Sequence, residues 1–232
     1  MDLLLRIARH SEPAAASIVE QPELLAEVHS QFIKVPWPAK NPTGADAFGY
    51  PHRKAVKLLR VLSQAGNKTT FTLLEQGFFG SCLRYLVAVI TRDPVKDPAL
   101  PESLELCLEV FRFWKVMAGY GYGMDAFTDL LPPLTSWLKL LHEFNATTKP
   151  SQGMSPSTEL YFEVQALFIG LLEETARVIV DPSCIDPSQV SQFWGNLSTF
   201  VPSVALFLKE YAPPLYCVLF SSDPFQIVAG SK

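Results

Sequence analysis

No two of the four cysteines or four histidines stand close enough in the sequence to mark a metal centre. Cys82, Cys107, Cys184 and Cys217 form no Cys-x-x-Cys pair and have no local histidine partner, so they read as reduced core thiols. His10, His29, His52 and His142 lack the sequence neighbours of a catalytic couple, and His10 falls at a helix end, where the macrodipole favours a cation. Charge is sparse as well. The 19 basic and 23 acidic residues leave a formal net charge of -4, which argues against a concentrated basic surface and against nucleic acid as the main ligand. Long apolar runs are missing too. "MDLLLRIARH" stops at Arg6 and lacks the core of a signal peptide. The longest uncharged stretch, Pro187 to Leu208, holds Gln189, Gln192, Asn196 and Pro202 and is too polar to span a membrane. Without a secretory signal, the sequons at Asn67, Asn145 and Asn196 carry no weight.

What is present is helical pattern. Alternation typical of strands is absent over any convincing length. With 48% hydrophobic residues in 232, the chain can form one large domain or a run of stacked units. Its first half repeats. "LLRIARHSEPAAASIVEQPELL" lies on "LLRVLSQAGNKTTFTLLEQGFF", with Leu4, Leu5 and Arg6 against Leu58, Leu59 and Arg60, a shift of 60 − 6 = 54. One inserted residue later, Glu20 and Gln21 meet Glu75 and Gln76. A weaker copy, "FWKVMAGYGYGMDAFTDLL", sets Lys115, Val116 and Gly121 against Arg60, Val61 and Gly66, a shift of 115 − 60 = 55. Such a period suits armadillo or HEAT units, of about 40–47 residues, enlarged by long loops. Loops are expected near 34–52, 92–101 and 147–157, with Ser157 as the N-cap of the helix that follows.

The helices indicate how they pack. From Leu104 to Ala118 one apolar stripe runs through Leu104, Cys107, Leu108, Phe111 and Trp114, and a second through Leu106, Val110, Phe113 and Met117. Glu105, Glu109 and Arg112 share the remaining face, so this helix is covered on two sides, as an inner helix of a stack must be. The Arg53 to Ala65 helix turns Ala55, Leu58, Leu59, Leu62 and Ala65 inward and Lys54, Lys57 and Gln64 outward. Gly66 and Gly77 fall where helices end. Further helices are expected at about Pro132 to Asn145, Thr158 to Val180 and Pro187 to Tyr211. The apolar pattern is already running at Met1, which suggests a fragment or shortened form with a raw end. The fold expected is all-α, an armadillo/HEAT-like α-solenoid over residues 1–212 with an irregular tail over 213–232.

Candidates for chemistry are few. "AGYGYGMD", Ala118 to Asp125, has alternating glycines but neither a preceding strand nor a Lys-Ser/Thr pair, so it reads as a turn between helices. Tyr120 and Tyr122 pack over that corner or face a partner. Glu173 and Glu174, with Arg177 one turn on, read as a solvated face with an ion pair. The cluster Arg53, Lys54, Lys57 and Arg60 is either a solvated helix face or a surface for an acidic peptide. "PPLY", with Pro213, Pro214 and Tyr216, matches the short pattern bound by WW domains, and otherwise is a loop after a helix with Tyr216 buried. No residue takes a catalytic, cofactor or metal role.

Three stretches in order, "LLLRIARHSEPAAASIVEQPELLAEVHSQFI", "AVKLLRVLSQAGNKTTFTLLEQGFF" and "EVFRFWKVMAGYGYGMDAFTDLLPPL", resemble the helical region in the C-terminal half of the RNA polymerase II-associated protein 1 family. The resemblance covers about Leu3 to Leu140 well and the remainder loosely. It implies a non-enzymatic armadillo/HEAT-like scaffold that binds RNA polymerase II subunits and assists their assembly and nuclear import. Chaperones and GPN-loop GTPases are the implied associates, and the nucleus and cytoplasm the implied compartments. The alternative is a peptide-binding or WW-ligand adaptor unrelated to the polymerase. An enzyme with a helical fold, which would need clustered polar side chains in a concave pocket, is the third reading. The Trp-x-x-x-Asn pairs of importin-type armadillo repeats are missing, since Leu141 follows Trp137 by four residues and Ala118 follows Trp114, which argues against reading import signals in that manner.

Overall fold

The computed structural model describes residues 2–30, 50–147, 156–181, 183, 185 and 187–219. Among them the fold is all-α, with ten α-helices and no strand. In chain order these are α1 (Asp2–His10), α2 (Glu12–Val19), α3 (Pro22–Val28), α4 (Tyr50–Ser63), α5 (Asn67–Glu75), α6 (Phe78–Ile90), α7 (Leu100–Gly119), α8 (Ala126–Thr147), α9 (Pro156–Val180) and α10 (Val190–Leu219).

The internal repeat is visible in where helices begin. The start of α5 lies 67 − 12 = 55 residues after that of α2, and α6 begins 78 − 22 = 56 after α3. Both units therefore run as three consecutive helices, of 9, 8 and 7 residues in the first and 14, 9 and 13 in the second. The joints follow from side-chain chemistry. Ser11 caps α2 by accepting from the Ala14 N–H at 3.2 Å. Its counterpart Gly66 has no side chain to do so and adopts φ 138°, a conformation that favours glycine. Thr70 ties the joint together differently, its hydroxyl lying 2.8 Å from the Ser63 carbonyl at the end of α4 and 2.9 Å from that of Gly66. The third unit departs from the pattern. Gly121 and Gly123 both take positive φ after α7, and a turn replaces the short middle helix, so the chain enters α8 directly.

The helices fall into two rows. In one row α1 packs on α4, α4 on α7 and α7 on α9, and the α7–α9 contact is the most extensive in the fold. In the other α2 meets α3 and α5, α5 meets α6, α6 meets α8, and α8 meets α10. Helix α7 touches both rows. The stripes through Leu104, Cys107, Leu108, Phe111 and Trp114 and through Leu106, Val110, Phe113 and Met117 are all buried, as the two-sided pattern requires. Aromatic rings tie the rows together. Trp114 lies against Phe127 at 4.4 Å and Phe79 at 5.9 Å, Phe127 meets Phe200 at 5.0 Å, and Phe168 bridges Phe111 and Phe207.

Several sequence expectations need correction. Helix α4 begins at Tyr50, so residues 50–52 of the expected first loop are helical, and residues 34–49 of that loop lie outside the described residues. Helix α9 begins at Pro156, which puts Ser157 inside its first turn instead of at the N-cap; proline's fixed φ suits the first helical position. Helix α8 begins at Ala126 and contains Pro132 and Pro133. Helix α10 continues through Pro202, Pro213 and Pro214 to Leu219, so residues 213–219 are not an irregular tail, and 220–232 lie outside the described residues. One physical reason serves these prolines. Each removes an N–H from the carbonyl four residues back, and the residues so deprived, Thr128, Asp129, Ser198, Lys209 and Glu210, are exposed, where water can take the place of the missing donor.

No single helix among the described residues is long and apolar enough to cross a membrane. Burial pushes the Cys82 and Cys107 thiols well above the usual range, and both are free. Cys184 lies outside the described residues, and so does the side chain of Cys217.

Candidate functional site

The sequence singles out Arg53, Lys54, Lys57 and Arg60 as a basic helix face. The structure places them on α4, all half-buried, where the row of α1, α4, α7 and α9 turns away from the other helices. Three of the four are already paired within the chain. Lys54 donates to Asp2 of α1 at 2.7 Å, Arg53 meets Glu105 of α7, and Arg60 lies 3.5 Å from Glu109 of α7. The ladder continues across α7. Arg112 donates to Glu109 at 2.7 Å and also to Glu163 of α9, while Arg177 donates to Glu174 at 2.5 Å within α9. Glu109, expected with Glu105 and Arg112 on an outward face, is buried between two guanidinium groups. Adjacent helices bring opposite charges over it, so its carboxylate is buried together with the Arg60 and Arg112 guanidinium groups.

Two lysines stand apart from the ladder. Lys57 on α4 and Lys115 on α7 make no ion pair or hydrogen bond among the described residues. Lys115 reaches across to α9, where Gly170 makes room for it: a Cβ at that position would lie 3.1 Å from the Lys115 ammonium. Three linked depressions follow this face. The first, of about 350 Å³, includes Lys57, Glu105, Arg112 and Glu163. The second, of about 370 Å³, lies between α1, α2 and α4 and includes Arg9, Glu12 and Arg60. The third, of about 610 Å³, has Val116, Tyr120 and Leu167 among Arg60, Arg112, Lys115, Glu174 and Arg177. Arg112 borders the first and third, and Arg60 and Gln64 the second and third, so they form one open face.

The glycine-rich corner is a turn. The Trp114 indole N–H donates to the Gly123 carbonyl at 3.1 Å, and the Tyr122 hydroxyl donates to Asn67 at 2.8 Å, closing the corner onto α5. A Cβ at Gly123 would come within 2.8 Å of the Phe79 and Trp114 rings, so only glycine fits. Tyr122 is buried in this packing, whereas Tyr120 is half-exposed beside the third depression. No group of three or more metal-ligating side chains is gathered among the described residues. The Pro213–Tyr216 backbone is helical within α10, not the extended form in which such segments dock on aromatic grooves.

Sequence reasoning missed Lys115, Arg112 and Arg177 as members of this face. The copy that aligns Lys115 with Arg60 is the signal that could have found the first of them. A second missed feature is a half-buried relay, in which Gln165 donates to the Tyr161 hydroxyl at 2.6 Å and that hydroxyl meets His142 Nδ1 at 3.0 Å. Burial holds the His142 pKa below its ordinary value, against a smaller opposing pull from Glu143.

The chain is similar to segments of RNA polymerase II-associated protein 1 from three mammals. Identity is 30% over 223 residues with the protein of Rattus norvegicus, covering 90% of this chain and 15% of the relative. It is 34% over 145 residues with that of Bos taurus, covering 60% and 10%, and 31% over 157 residues with that of Homo sapiens, covering 66% and 11%. The chain thus spans only a small part of the length of the curated relatives it matches. No protein-family model and no solved structure matches it.

Proposed function

We propose, from the kinship with a segment of RNA polymerase II-associated protein 1, that this chain is a non-enzymatic helical-repeat scaffold that associates with RNA polymerase II through a protein-binding face. In this reading the two rows of helices form an armadillo/HEAT-like α-solenoid. The observation that carries it is the open face of α1, α4, α7 and α9, where charged side chains from four helices line three linked depressions. A broad face of this kind recognises a partner by shape and charge over a large area. The chain's service would be to polymerase assembly and nuclear import, with chaperones and GPN-loop GTPases as associates, in the nucleus and cytoplasm.

The test is affinity purification of the tagged 232-residue chain from cell extract, read by mass spectrometry, with helix content by circular dichroism as the folding control. Recovery of RNA polymerase II subunits together with assembly factors is the expected result. A folded chain that recovers none of them overturns the proposal.

A further inference from the structure

The ladder of ion pairs separates cations that hold the fold from cations available to a ligand. Arg53, Lys54, Arg60 and Arg112 each touch a carboxylate of another helix, so their charge is committed to joining α1, α4, α7 and α9. Lys57 and Lys115 have no such partner, yet both are half-buried. An ammonium that makes no ion pair within the fold has its N–H donors available to an arriving carboxylate, although Glu105, Glu109 and Glu163 share the depression with Lys57. The two lysines line depressions that meet at Arg112, so a chain lying along the face would pass both. Between the charges of the third depression lie the apolar side chains of Val116 and Leu167 and the ring of Tyr120. Cations alternating with apolar surface match a peptide that alternates acidic with apolar residues. The local excess of positive charge is set in a chain whose formal net charge is -4.

We propose that the face shared by α4, α7 and α9 binds an acidic peptide segment, with Lys57 and Lys115 meeting its carboxylates and Val116, Leu167 and Tyr120 its apolar side chains. The proposal rests on the protein-binding reading above and names the chemistry of the partner. It moves the acidic-peptide surface away from Arg53, Lys54 and Arg60, which the fold uses internally.

The experiment is fluorescence anisotropy of the full chain with a short labelled peptide alternating glutamate with leucine, beside the same peptide with glutamine for glutamate. The acidic peptide should bind and the glutamine peptide should not. Lys57→Gln with Lys115→Gln should weaken binding by about tenfold, the effect of losing one or two charge-assisted contacts. Each single variant should weaken it less, and Lys68→Gln, on the exposed side of α5, should leave it unchanged. Circular dichroism should show the variants folded, since neither lysine holds an ion pair. Absence of binding, equal binding of the glutamine peptide, or an equal loss in Lys68→Gln would each overturn the proposal. So would competition by millimolar inorganic phosphate as strong as that by unlabelled acidic peptide, because the face would then be reading a bare anion. The two readings fail separately. Polymerase recovery that is unaffected in the double variant sinks the acidic-peptide site and keeps the scaffold, whereas peptide binding without polymerase recovery does the reverse.

Discussion

Helices α7 and α10 are both rich in apolar residues, and their surroundings are opposite. In α7, neighbours from α4, α6 and α9 cover the apolar stripes, and on the polar surface left Glu105, Glu109 and Arg112 are held in ion pairs while Lys115 is not. In α10, Phe193, Phe200 and Phe207, each seven residues from the next, are buried, Phe193 beside the Gly121 corner, Phe200 on Phe127 of α8 and Phe207 on Phe168 of α9, while Trp194, Val201, Leu206 and Leu208 stay exposed. The difference teaches that apolar content alone says little about covering; a second helix must arrive from the other side. It also separates two surfaces of the chain, one charged and built across several helices, the other apolar and belonging to one.

The sharpest way to break the comparison is at its buried end. Trp114→Ala removes a fully buried indole, its hydrogen bond to Gly123 and its contacts with Phe79 and Phe127, and should cost about 3–5 kcal/mol in denaturant unfolding. Glu109→Ala leaves Arg60 and Arg112 facing each other across a buried gap and should cost about 1–3 kcal/mol. Glu109→Gln, which keeps the shape, should cost less, and equal loss in the two variants would mean the charge is irrelevant. At the exposed end, Trp194→Ser and Leu208→Ser should each cost no more than about 1 kcal/mol, since Trp194 gives up only an edge contact with Phe193 and both side chains are open to solvent. A loss comparable to that of Trp114→Ala would show that α10 is covered.

A smaller effect concerns pH. Because burial lowers the His142 pKa from 6.5, the unfolded ring takes up a proton more readily than the folded one. Its contribution to stability is complete above that value and is lost as pH falls through it toward the folded pKa. The melting temperature should therefore fall between about pH 7.5 and about pH 5, and His142→Gln should flatten that slope. The Tyr161 hydroxyl accepts from Gln165 and lies 3.0 Å from His142 Nδ1. An unchanged slope in His142→Gln would refute this assignment.

The covering of α7 was legible in the sequence because two stripes at helical spacing can be counted without knowing what lies on them. The helix joints at Gly66 and Gly77 were legible for a similar reason, as both have positive φ. The ion pairs were not. Arg112 and Glu163 are 51 positions apart, and nothing local to either announces the other. That is why the α4 cluster reads as a free basic face when three of its four cations are spoken for by α1 and α7. The prolines misled for a different reason. Local rules assign the missing hydrogen bond a fixed penalty, whereas Thr128, Asp129 and Ser198 lie on the exposed side of their helices. The third repeat unit keeps Lys115 in register and loses its short middle helix, because Gly121 and Gly123 turn the chain where Asn67 to Glu75 would continue as α5.

The most direct test of the account is the recovery of RNA polymerase II subunits from extract by three tagged forms of the chain: the parent, Lys57→Gln with Lys115→Gln, and Trp194→Ser with Leu208→Ser. Recovery that falls in the lysine variant and holds in the α10 variant is the predicted result. Recovery that holds in the lysine variant and falls in the α10 variant would contradict it, and would move the docking surface to the apolar side of α10.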